Sequence, residues 1–364
     1  MNIIAITSAH VRHEQTPLDE PVKVSFGAMS SRHAIFLIVH DDAGRQGIGE
    51  SWVNFPAWAP WERVAAFERA IIPWMIGREV AEVPQFIGEL YRAFAGPAAQ
   101  SGALGPLLGA LCAVELALWD LQAQAAGAPL ATHLWGWHHA AVRVYASGLN
   151  SPLPRDLIDE HLNQGVKLFK LKLGFGDDED RRNLDALRRH LGDGASIAVD
   201  VNRAWTLDDA LRWLPLLREY DVQWLEEPLT PAEERRLGIL RAESDVAIAG
   251  GENIMMPPGA DVDEIAGQEW DILQPDLTKY APLHVAKRLL DAARTTGKRV
   301  VPHFLGSGPG QAASLHFAAG CPEGLVELDI NRNPLRTDLL DAPLRVVDGA
   351  IALPETPGLG WRLT

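Results

Sequence analysis

Short apolar runs alternate with charged, amphipathic segments from about residue 141 onward. The apolar runs predict eight strands, and the segments between them, such as residues 178–191, 206–219 and 283–296, show helical periodicity. The predicted strands are residues 142–146, 168–173, 196–201, 222–226, 247–250, 272–274, 299–302 and 324–328. Because alternating strands and helices favour a parallel sheet, and eight such units favour closure, this region is predicted to be a (β/α)8 TIM barrel.

The first 130 residues show a different pattern, which predicts an α+β unit. Strands at 34–40 and 46–50 flank the turn-forming run Asp41-Asp42-Ala43-Gly44 and predict a hairpin. Helical patterns follow, at residues 61–76, 83–94 and 107–126. Prolines and glycines interrupt the uncharged stretch 93–114, so we interpret it as a loop leading into a buried amphipathic helix rather than a membrane span.

The amino-acid composition excludes some classes of binding partner. The chain of 364 residues carries 33 Lys and Arg against 48 Asp and Glu, a formal charge of −15. Nucleic acids and anionic membranes need clustered basic residues, so neither is an expected partner. The two cysteines, Cys112 and Cys321, fit neither a disulfide framework nor a metal site, and no targeting signal is recognisable. A cytoplasmic location is predicted, and the acidic surface with apolar cap helices would allow a symmetric homo-oligomer.

Polar residues recur where seven successive predicted strands end. They are Lys170 and Lys172, Asp200 and Asn202, Glu226 and Glu227, Glu252, Asp276, His303 and Glu327. Steps of 24 to 28 residues separate them from Lys172 onward, about one β/α unit each time. Because the carboxyl ends of barrel strands meet at one mouth, these side chains are expected to surround a single site.

The first of these groups is a pair of lysines. Lys170 and Lys172 flank Leu171, so both ammonium groups point to one side of a strand. If that side faces the barrel interior, each ammonium lowers the pKa of the other, and one lysine can be neutral enough to act as a base. The alternative is an edge strand with a solvated face.

Asp200, Glu226 and Glu252 place three carboxylates on three consecutive strands. Such a cluster repels itself unless a cation neutralises it, and hard oxygen ligands without Cys or His favour Mg²⁺ over zinc. The alternative, that each carboxylate caps the following helix, fits one of them but poorly fits all three.

Asp276 precedes His303 by one barrel unit, so the two side chains can be neighbours. A carboxylate beside an imidazole fixes the tautomer and raises the basicity of the far nitrogen, which predicts a catalytic dyad. The alternative is a structural histidine. The other eleven histidines, including His316, are interpreted as surface or packing residues.

Together these residues resemble the enolase superfamily and, within it, the mandelate racemase subgroup. The resemblance covers nearly the whole chain and rests on motifs in barrel order. They are Lys170-Leu171-Lys172, Asp200-Val201-Asn202, Trp224-Leu225-Glu226-Glu227-Pro228, Gly250-Gly251-Glu252-Asn253, Gln274-Pro275-Asp276 and Pro302-His303. The resemblance implies a capping domain at 1–130, a catalytic barrel at 131–335 and a C-terminal segment at 336–364 that returns to the cap.

The resemblance also implies roles for the polar residues. Asp200, Glu226 and Glu252 would hold Mg²⁺. The proton-transfer groups would be Lys172 on one side and the dyad of His303 and Asp276 on the other. Three more residues would face the substrate: Lys170 at its carboxylate, Glu327 as a hydrogen-bond donor if protonated, and Asn202 near the metal.

This sequence differs from related sequence patterns at two places, both at the end of the sixth predicted strand. The muconate-lactonizing branch has a lysine where this chain has Asp276, which disfavours that branch. Lys279, three positions later, is not interpreted as its replacement. The run Thr278-Lys279-Tyr280-Ala281 stands where related proteins often have a Gly-Gly pair.

The implied reaction is Mg²⁺-dependent removal of the α-proton of a small carboxylate substrate, giving a metal-stabilised enediolate. Loss of a β-hydroxyl would make the protein a dehydratase of a sugar acid or hydroxy acid, which is the favoured prediction. Reprotonation of the α-carbon would make it a racemase or epimerase, and a non-catalytic binding barrel is a distant alternative. Specificity is expected in loops 21–32 and 51–61, with Trp52 and Phe55 as candidate substrate contacts. If Trp52, Phe55, Trp58 and Trp61 line the pocket, they would favour a less polar substrate and the racemase.

Overall fold

A computed structural model describes residues 3–25 and 27–364. The strands are β1 Ile4–Val24, β2 Gly27–Asp41, β3 Gln46–Ser51, β4 Glu79–Val80, β5 Ala141–Leu149, β6 Leu168–Lys172, β7 Ser196–Asp200, β8 Val222–Glu226, β9 Ala247–Gly250, β10 Ile272–Leu273, β11 Arg299–Val300, β12 Leu325–Asp329 and β13 Ala350–Ala352. The helices are α1 Ala59–Ala66, α2 Ile72–Met75, α3 Val83–Ser101, α4 Leu104–Ala125, α5 Leu130–Leu134, α6 Arg155–Asn163, α7 Asp177–Leu191, α8 Leu207–Glu219, α9 Leu237–Glu243, α10 Val262–Gly267, α11 Leu283–Thr295, α12 Gly308–Ala318 and α13 Pro334–Thr337. A π-helical turn, Phe67–Ile71, joins α1 to α2, and a 3₁₀ turn, Glu234–Arg236, precedes α9.

The cap is an antiparallel sheet in the order β3-β2-β1-β4. The predicted β2–β3 hairpin is present, but β1, which pairs with β2 along most of its 21 residues, was not predicted. Among the residues of β1 whose burial the structure describes, only the first ones, such as Ile4 and Ile6, are fully buried in the cap core. The rest of β1 lacks the apolar alternation that signals a strand.

The two long cap helices correct one sequence interpretation. The predicted loop before α4 is wrong: α3 continues through Pro97 to Ser101, and Gly102, at φ 74°, ends it. Helix α4 is long and apolar enough to cross a membrane, but 78% of that stretch is buried inside the protein. The prediction of a buried helix is confirmed, although α4 is buried on nearly all sides and is not amphipathic.

The eight predicted barrel strands are β5 to β12, hydrogen-bonded in parallel in the order β11-β10-β9-β8-β7-β6-β5-β12. Among the residues that the structure describes, no ladder bonds join β11 to β12. Strand β11 is only two residues long, and Pro302, two positions after its end, has no N–H to donate. Side chains bridge this gap instead: the Phe304 N–H donates to Glu327 Oε2 (3.2 Å), and Gln311 Nε2 donates to the Glu327 carbonyl (2.9 Å).

The end of the chain returns to the cap, as the family resemblance implies. Strand β13 pairs antiparallel with β5 at the barrel, and the chain then returns to the cap next to α4. There the Leu359 N–H donates to Asp120 Oδ1 (2.9 Å), and the Leu130 N–H donates to the Gly358 carbonyl (2.7 Å).

Glu50, at the end of the cap hairpin, joins the cap to the barrel segment that follows His303. Its carboxylate accepts hydrogen bonds from Ser307 N (3.0 Å), Ser307 Oγ (2.6 Å) and Gly310 N (2.8 Å), at the N-terminus of α12. Burial raises the pKa of Glu50 from 4.5 to about 7, because these three hydrogen bonds offset only part of the desolvation.

This raised pKa predicts a pH-dependent stability. The folded protein binds a proton at Glu50 that the unfolded chain has already lost, so the free energy of unfolding falls as pH rises from about 4.5 to about 7. In Glu50→Gln, the decrease in the free energy of unfolding between pH 5 and pH 8 should be smaller by roughly 3 kcal/mol, measured by urea unfolding at both pH values. The exposed Glu79→Gln is the control, and an unchanged pH dependence in Glu50→Gln would contradict the assignment.

Candidate active site

Strand periodicity explains why the site residues gather. A layer of mostly apolar side chains fills the barrel interior: Tyr145, Leu168, Ala198, Trp224, Ala249, Ile272, Val301 and Leu325. The residue two positions further along a strand points to the same interior, one layer nearer the carboxyl end. That next layer contains Lys170, Asp200, Glu226, His303 and Glu327, all of them buried.

The two lysines face inward and contact carboxylates. Lys170 Nζ lies 2.5 Å from Glu226 Oε1, 2.8 Å from Glu327 Oε1 and 3.8 Å from Asp200 Oδ2. Lys172 donates to Asp200 Oδ2. The edge-strand alternative is therefore wrong.

The expected lowering of the lysine pKa values is also wrong for the site as described. Burial and Lys170 lower the pKa of Lys172, but the carboxylates of Asp200, Glu226 and Glu327 together raise it above its usual value. In the same way Glu226 and Glu327 outweigh burial and raise the pKa of Lys170 well above its usual value. The sequence revealed the repulsion between the lysines but not which carboxylates they would contact.

The predicted dyad is brought together. The His303 Nδ1–H donates to Asp276 Oδ2 (2.8 Å), while Asp276 Oδ1 accepts from Thr278 N (2.8 Å) and Thr278 Oγ1 (2.7 Å). The Nε2 edge of the ring faces the barrel mouth, where it contacts Glu252 Oε2 at 2.6 Å. Burial lowers the pKa of His303, but Glu252 and Glu327 raise it well above the usual value, so the ring is an imidazolium.

The three predicted metal carboxylates line one arc of the mouth, at the ends of β7 and β8 and just after β9. In the part of the chain that the structure describes, no three Asp, Glu, His or Cys side chains are arranged around one point as a metal requires. Each carboxylate contacts a cation instead: Asp200 meets Lys172, Glu226 meets Lys170, and Glu252 meets His303.

The charges of the site nevertheless fit a divalent cation. The buried carboxylates are Asp200, Glu226, Glu227, Glu252, Asp276 and Glu327, and the buried cations are Lys170, Lys172, Lys279 and His303. If all were ionised, six negative groups against four positive groups would leave two negative charges in a desolvated cluster, and burial together with this excess raises the pKa of Glu226 to about 7 and that of Glu227 to about 8. Hard carboxylate oxygens with an excess charge of −2 are the donor set that Mg²⁺ prefers. The residues present therefore fit the ion.

Three residues to which the sequence analysis gave no role form a hydrogen-bonded network beside Glu252: Glu227, Asn253 and Lys279. Asn253 Nδ2 donates to both Glu227 oxygens (2.7 and 3.0 Å) and to Glu252 Oε1 (3.1 Å). Lys279 Nζ donates to Asn253 Oδ1 (2.7 Å) and Glu252 Oε1 (3.2 Å). Burial and repulsion from Glu252 raise the pKa of Glu227 to about 8. The Glu226-Glu227 doublet was a visible signal for this network, whereas the sequence analysis named Lys279 but gave it no role in the site.

Glu327 and Asn202 lie at the mouth as predicted. Burial raises the pKa of Glu327, but Lys170 and His303 lower it to about 2, so this carboxylate is ionised. The condition that it be protonated to donate a hydrogen bond is not met here. Asn202 Nδ2 donates to Asp200 Oδ2 (3.1 Å), while within residues 3–25 and 27–364 its buried Oδ1 has no hydrogen-bond partner.

The loop aromatics divide into two pairs. Trp52 lies under the Lys279 ammonium (4.6 Å from the ring centre), and Phe55 packs on the small apolar cluster of Val22, Met29 and Leu305. Trp58 and Trp61 are 67% and 57% exposed, and Trp61 contacts two cap histidines. The histidine His316 is buried between backbone groups, with its pKa lowered by burial to about 4, as expected of a packing residue.

Comparison with known proteins agrees with this architecture. The model of the mandelate racemase/muconate lactonizing enzyme N-terminal domain matches residues 6–136, and the enolase C-terminal domain-like model matches residues 153–364. The D-galactarolactone cycloisomerase of Agrobacterium fabrum is 29% identical, covering 99% of this chain and 96% of that protein. The L-talarate/galactarate dehydratase of Salmonella typhimurium is also 29% identical, covering 96% of this chain and 86% of that protein.

Among solved structures, a racemase from Streptomyces coelicolor with bound magnesium superimposes with a TM-score of 0.85. It is 26% identical and covers 98% of this chain and 97% of its own. The relatives are thus enzymes that include dehydratases, cycloisomerases and racemases. With both family models matched in order over most of its length, the chain belongs to the mandelate racemase/muconate lactonizing enzyme family of the enolase superfamily.

Proposed function

We propose that the protein is a Mg²⁺-dependent dehydratase of a sugar acid or another small hydroxy acid, which it converts to a 2-keto acid. The observation that carries this proposal is the His303–Asp276 pair, whose Nε2 faces the mouth from one side while Lys172 faces it from the other. Dehydration needs a base for the α-proton and an acid for the leaving hydroxyl, and these two groups fill those roles.

Asp200, Glu226 and Glu252 are the residues that would hold Mg²⁺. When bound, the ion would supply positive charge at the substrate carboxylate as the α-proton leaves. Lys170, which is buried beside them, would place a second positive charge against the same carboxylate.

The proton transfers fall to the other residues. Lys172 takes the α-proton, the C–H electron pair becomes the C=C bond, and the C–O bond of the β-hydroxyl breaks. His303 gives its Nε2 proton to the departing oxygen, which leaves as water, and the enol becomes the 2-keto acid. Lys172 must be neutral first. Asp200, the contact that raises its pKa, is one of the proposed metal ligands, and Lys170 then favours proton loss.

The surroundings favour a polar substrate. Two of the four loop aromatics, Trp58 and Trp61, are mostly exposed, so the apolar pocket that would favour a racemase is not assembled from all four. The unpartnered Asn202 Oδ1, within the described residues, is an acceptor for a substrate hydroxyl. The L-talarate/galactarate dehydratase relative adds support.

The test is a screen of mono- and diacid sugars with Mg²⁺, with 2-keto acid formation as the readout. We expect turnover of at least one hydroxy acid. The second candidate, racemase or epimerase, is favoured by the magnesium-bound racemase among the structural neighbours. A blank screen followed by α-proton exchange of α-hydroxy or α-amino acids in D₂O would establish it in place of the dehydratase.

A further inference from the structure

Arg32 projects from the cap toward the barrel mouth. It shares the face of β2 that carries Ala34 and Phe36, which pack on the barrel core, whereas Ile35 packs on the cap core. Only 1% of Arg32 is exposed, and its Nη2 donates to Asp329 Oδ2 (2.6 Å) at the end of β12.

The guanidinium is incompletely paired. Within the described part of the chain, Arg32 Nε and Nη1 have no hydrogen-bond partner, although both are buried. Ser147, which pairs with Asp329 across β5 and β12, has a buried hydroxyl that is also unpartnered there. Leaving a buried donor unpaired costs about 1–3 kcal/mol, and more for a charged group, so three such atoms around Asp329 indicate a missing polar partner.

The local charge indicates that this partner is an anion. Arg336 Nη1 lies 4.0 Å from Asp329 Oδ2 and donates to the Asp329 carbonyl, so two guanidinium groups share one buried carboxylate. His161 adds no positive charge, because burial lowers its pKa. Glu160, the next carboxylate near Arg336, is exposed and leaves the inner donors of Arg32 unpaired.

The position of this cluster suits the far end of a substrate. Around the barrel, the proposed metal carboxylates stand on β7, β8 and β9, whereas Asp329 and Ser147 stand on β12 and β5 at the opposite arc. The proton-transfer groups are Lys172, at the end of β6, and His303, just after β11, and these two strands flank that arc on either side. A substrate held by its α-carboxylate at the metal arc therefore extends across the mouth toward Arg32.

We infer that Arg32, with Ser147, binds a second carboxylate of the substrate at the end remote from the α-carbon, so that diacids are preferred over monoacids. This inference rests on the proposed function. Arg32 is a specificity-determining residue that fixes the far end of the substrate and takes no part in proton transfer. A planar guanidinium with two adjacent free N–H groups suits a carboxylate, which it can bind in a bidentate fashion.

The experiment compares Arg32→Gln with the unchanged protein, in Mg²⁺, on galactarate and galactonate, a diacid and a monoacid with the same skeleton. Arg32→Gln should lower kcat/KM for the diacid by about 10- to 100-fold, mainly through KM, and change the monoacid by less than about threefold. Ser147→Ala should act in the same direction with a smaller effect. Arg12→Gln, on the neighbouring strand and paired with Glu14, is the matched control.

A binding measurement separates this inference from the proposed reaction. Calorimetry with adipate and hexanoate, which lack hydroxyls and cannot be dehydrated, should show an Arg32-dependent preference for adipate even if no 2-keto acid is ever formed. Equal losses on diacid and monoacid, or no adipate preference, would overturn the role of Arg32. If Arg32→Gln does not fold, the diacid-selective loss in Ser147→Ala decides the question.

Discussion

Removing divalent metal with EDTA is expected to abolish turnover, and Mg²⁺ is expected to restore it. When the buried site carboxylates are all ionised, they exceed the buried cations by two negative charges, and the substrate carboxylate adds more. Without a cation this charge opposes both substrate binding and the dianion formed when the α-proton leaves. The loss should be about 10³-fold or more, measured as initial rates in metal-free buffer.

Thermal unfolding gives an independent readout of the same site. Mg²⁺ at about 100 times its dissociation constant should raise the free energy of unfolding by about 2.7 kcal/mol, because it binds only the folded protein. Glu226→Gln should lose most of this stabilisation. Glu234→Gln, an exposed carboxylate paired with Arg203, should keep it. Full activity in metal-free buffer, or equal stabilisation of both variants, would refute the assignment of Asp200, Glu226 and Glu252.

His303→Asn should abolish dehydration while leaving α-proton exchange. The variant lacks the imidazolium that protonates the leaving hydroxyl, so 2-keto acid formation should fall by about 10²- to 10⁴-fold. Lys172 is untouched on the other side of the mouth, so the α-carbon should still exchange with D₂O, as followed by proton NMR. The surface variant His190→Asn, which loses only a contact with Asp159, is the control. Unchanged rates of both reactions would refute the dyad.

Asp276→Asn separates catalysis from packing at the same dyad. The Asp276 carboxylate helps to raise the pKa of His303, together with Glu252 and Glu327. Its removal should let the imidazolium lose its proton at a lower pH, so the alkaline limb of the rate profile should move to lower pH. If Asp276 served only in packing, turnover and the pH profile would stay nearly unchanged.

The barrel part of the fold could be predicted because its signals are local. The period of two along each strand placed Lys170 and Lys172 on one side, and the spacing of strand ends placed Asp276 next to His303. Strand β1 gave no such signal, because most of it lies outside the apolar core and is recognised only through its pairing with β2. Pro97 was likewise predicted to interrupt the helix, although α3 continues past it.

The sequence by itself determined the barrel and which residues meet at its mouth, since these follow from short-range periodicity repeated eight times. Its motifs in barrel order resembled the family that the comparisons confirmed. The tertiary structure decided which cation contacts which carboxylate, and so the pKa directions of Lys172, Glu227 and Glu327. It also placed Lys279 in the site, left Trp61 mostly exposed and brought Arg32 to Asp329. Such contacts join residues up to 297 positions apart, and their energies depend on burial and distance, which no local pattern encodes.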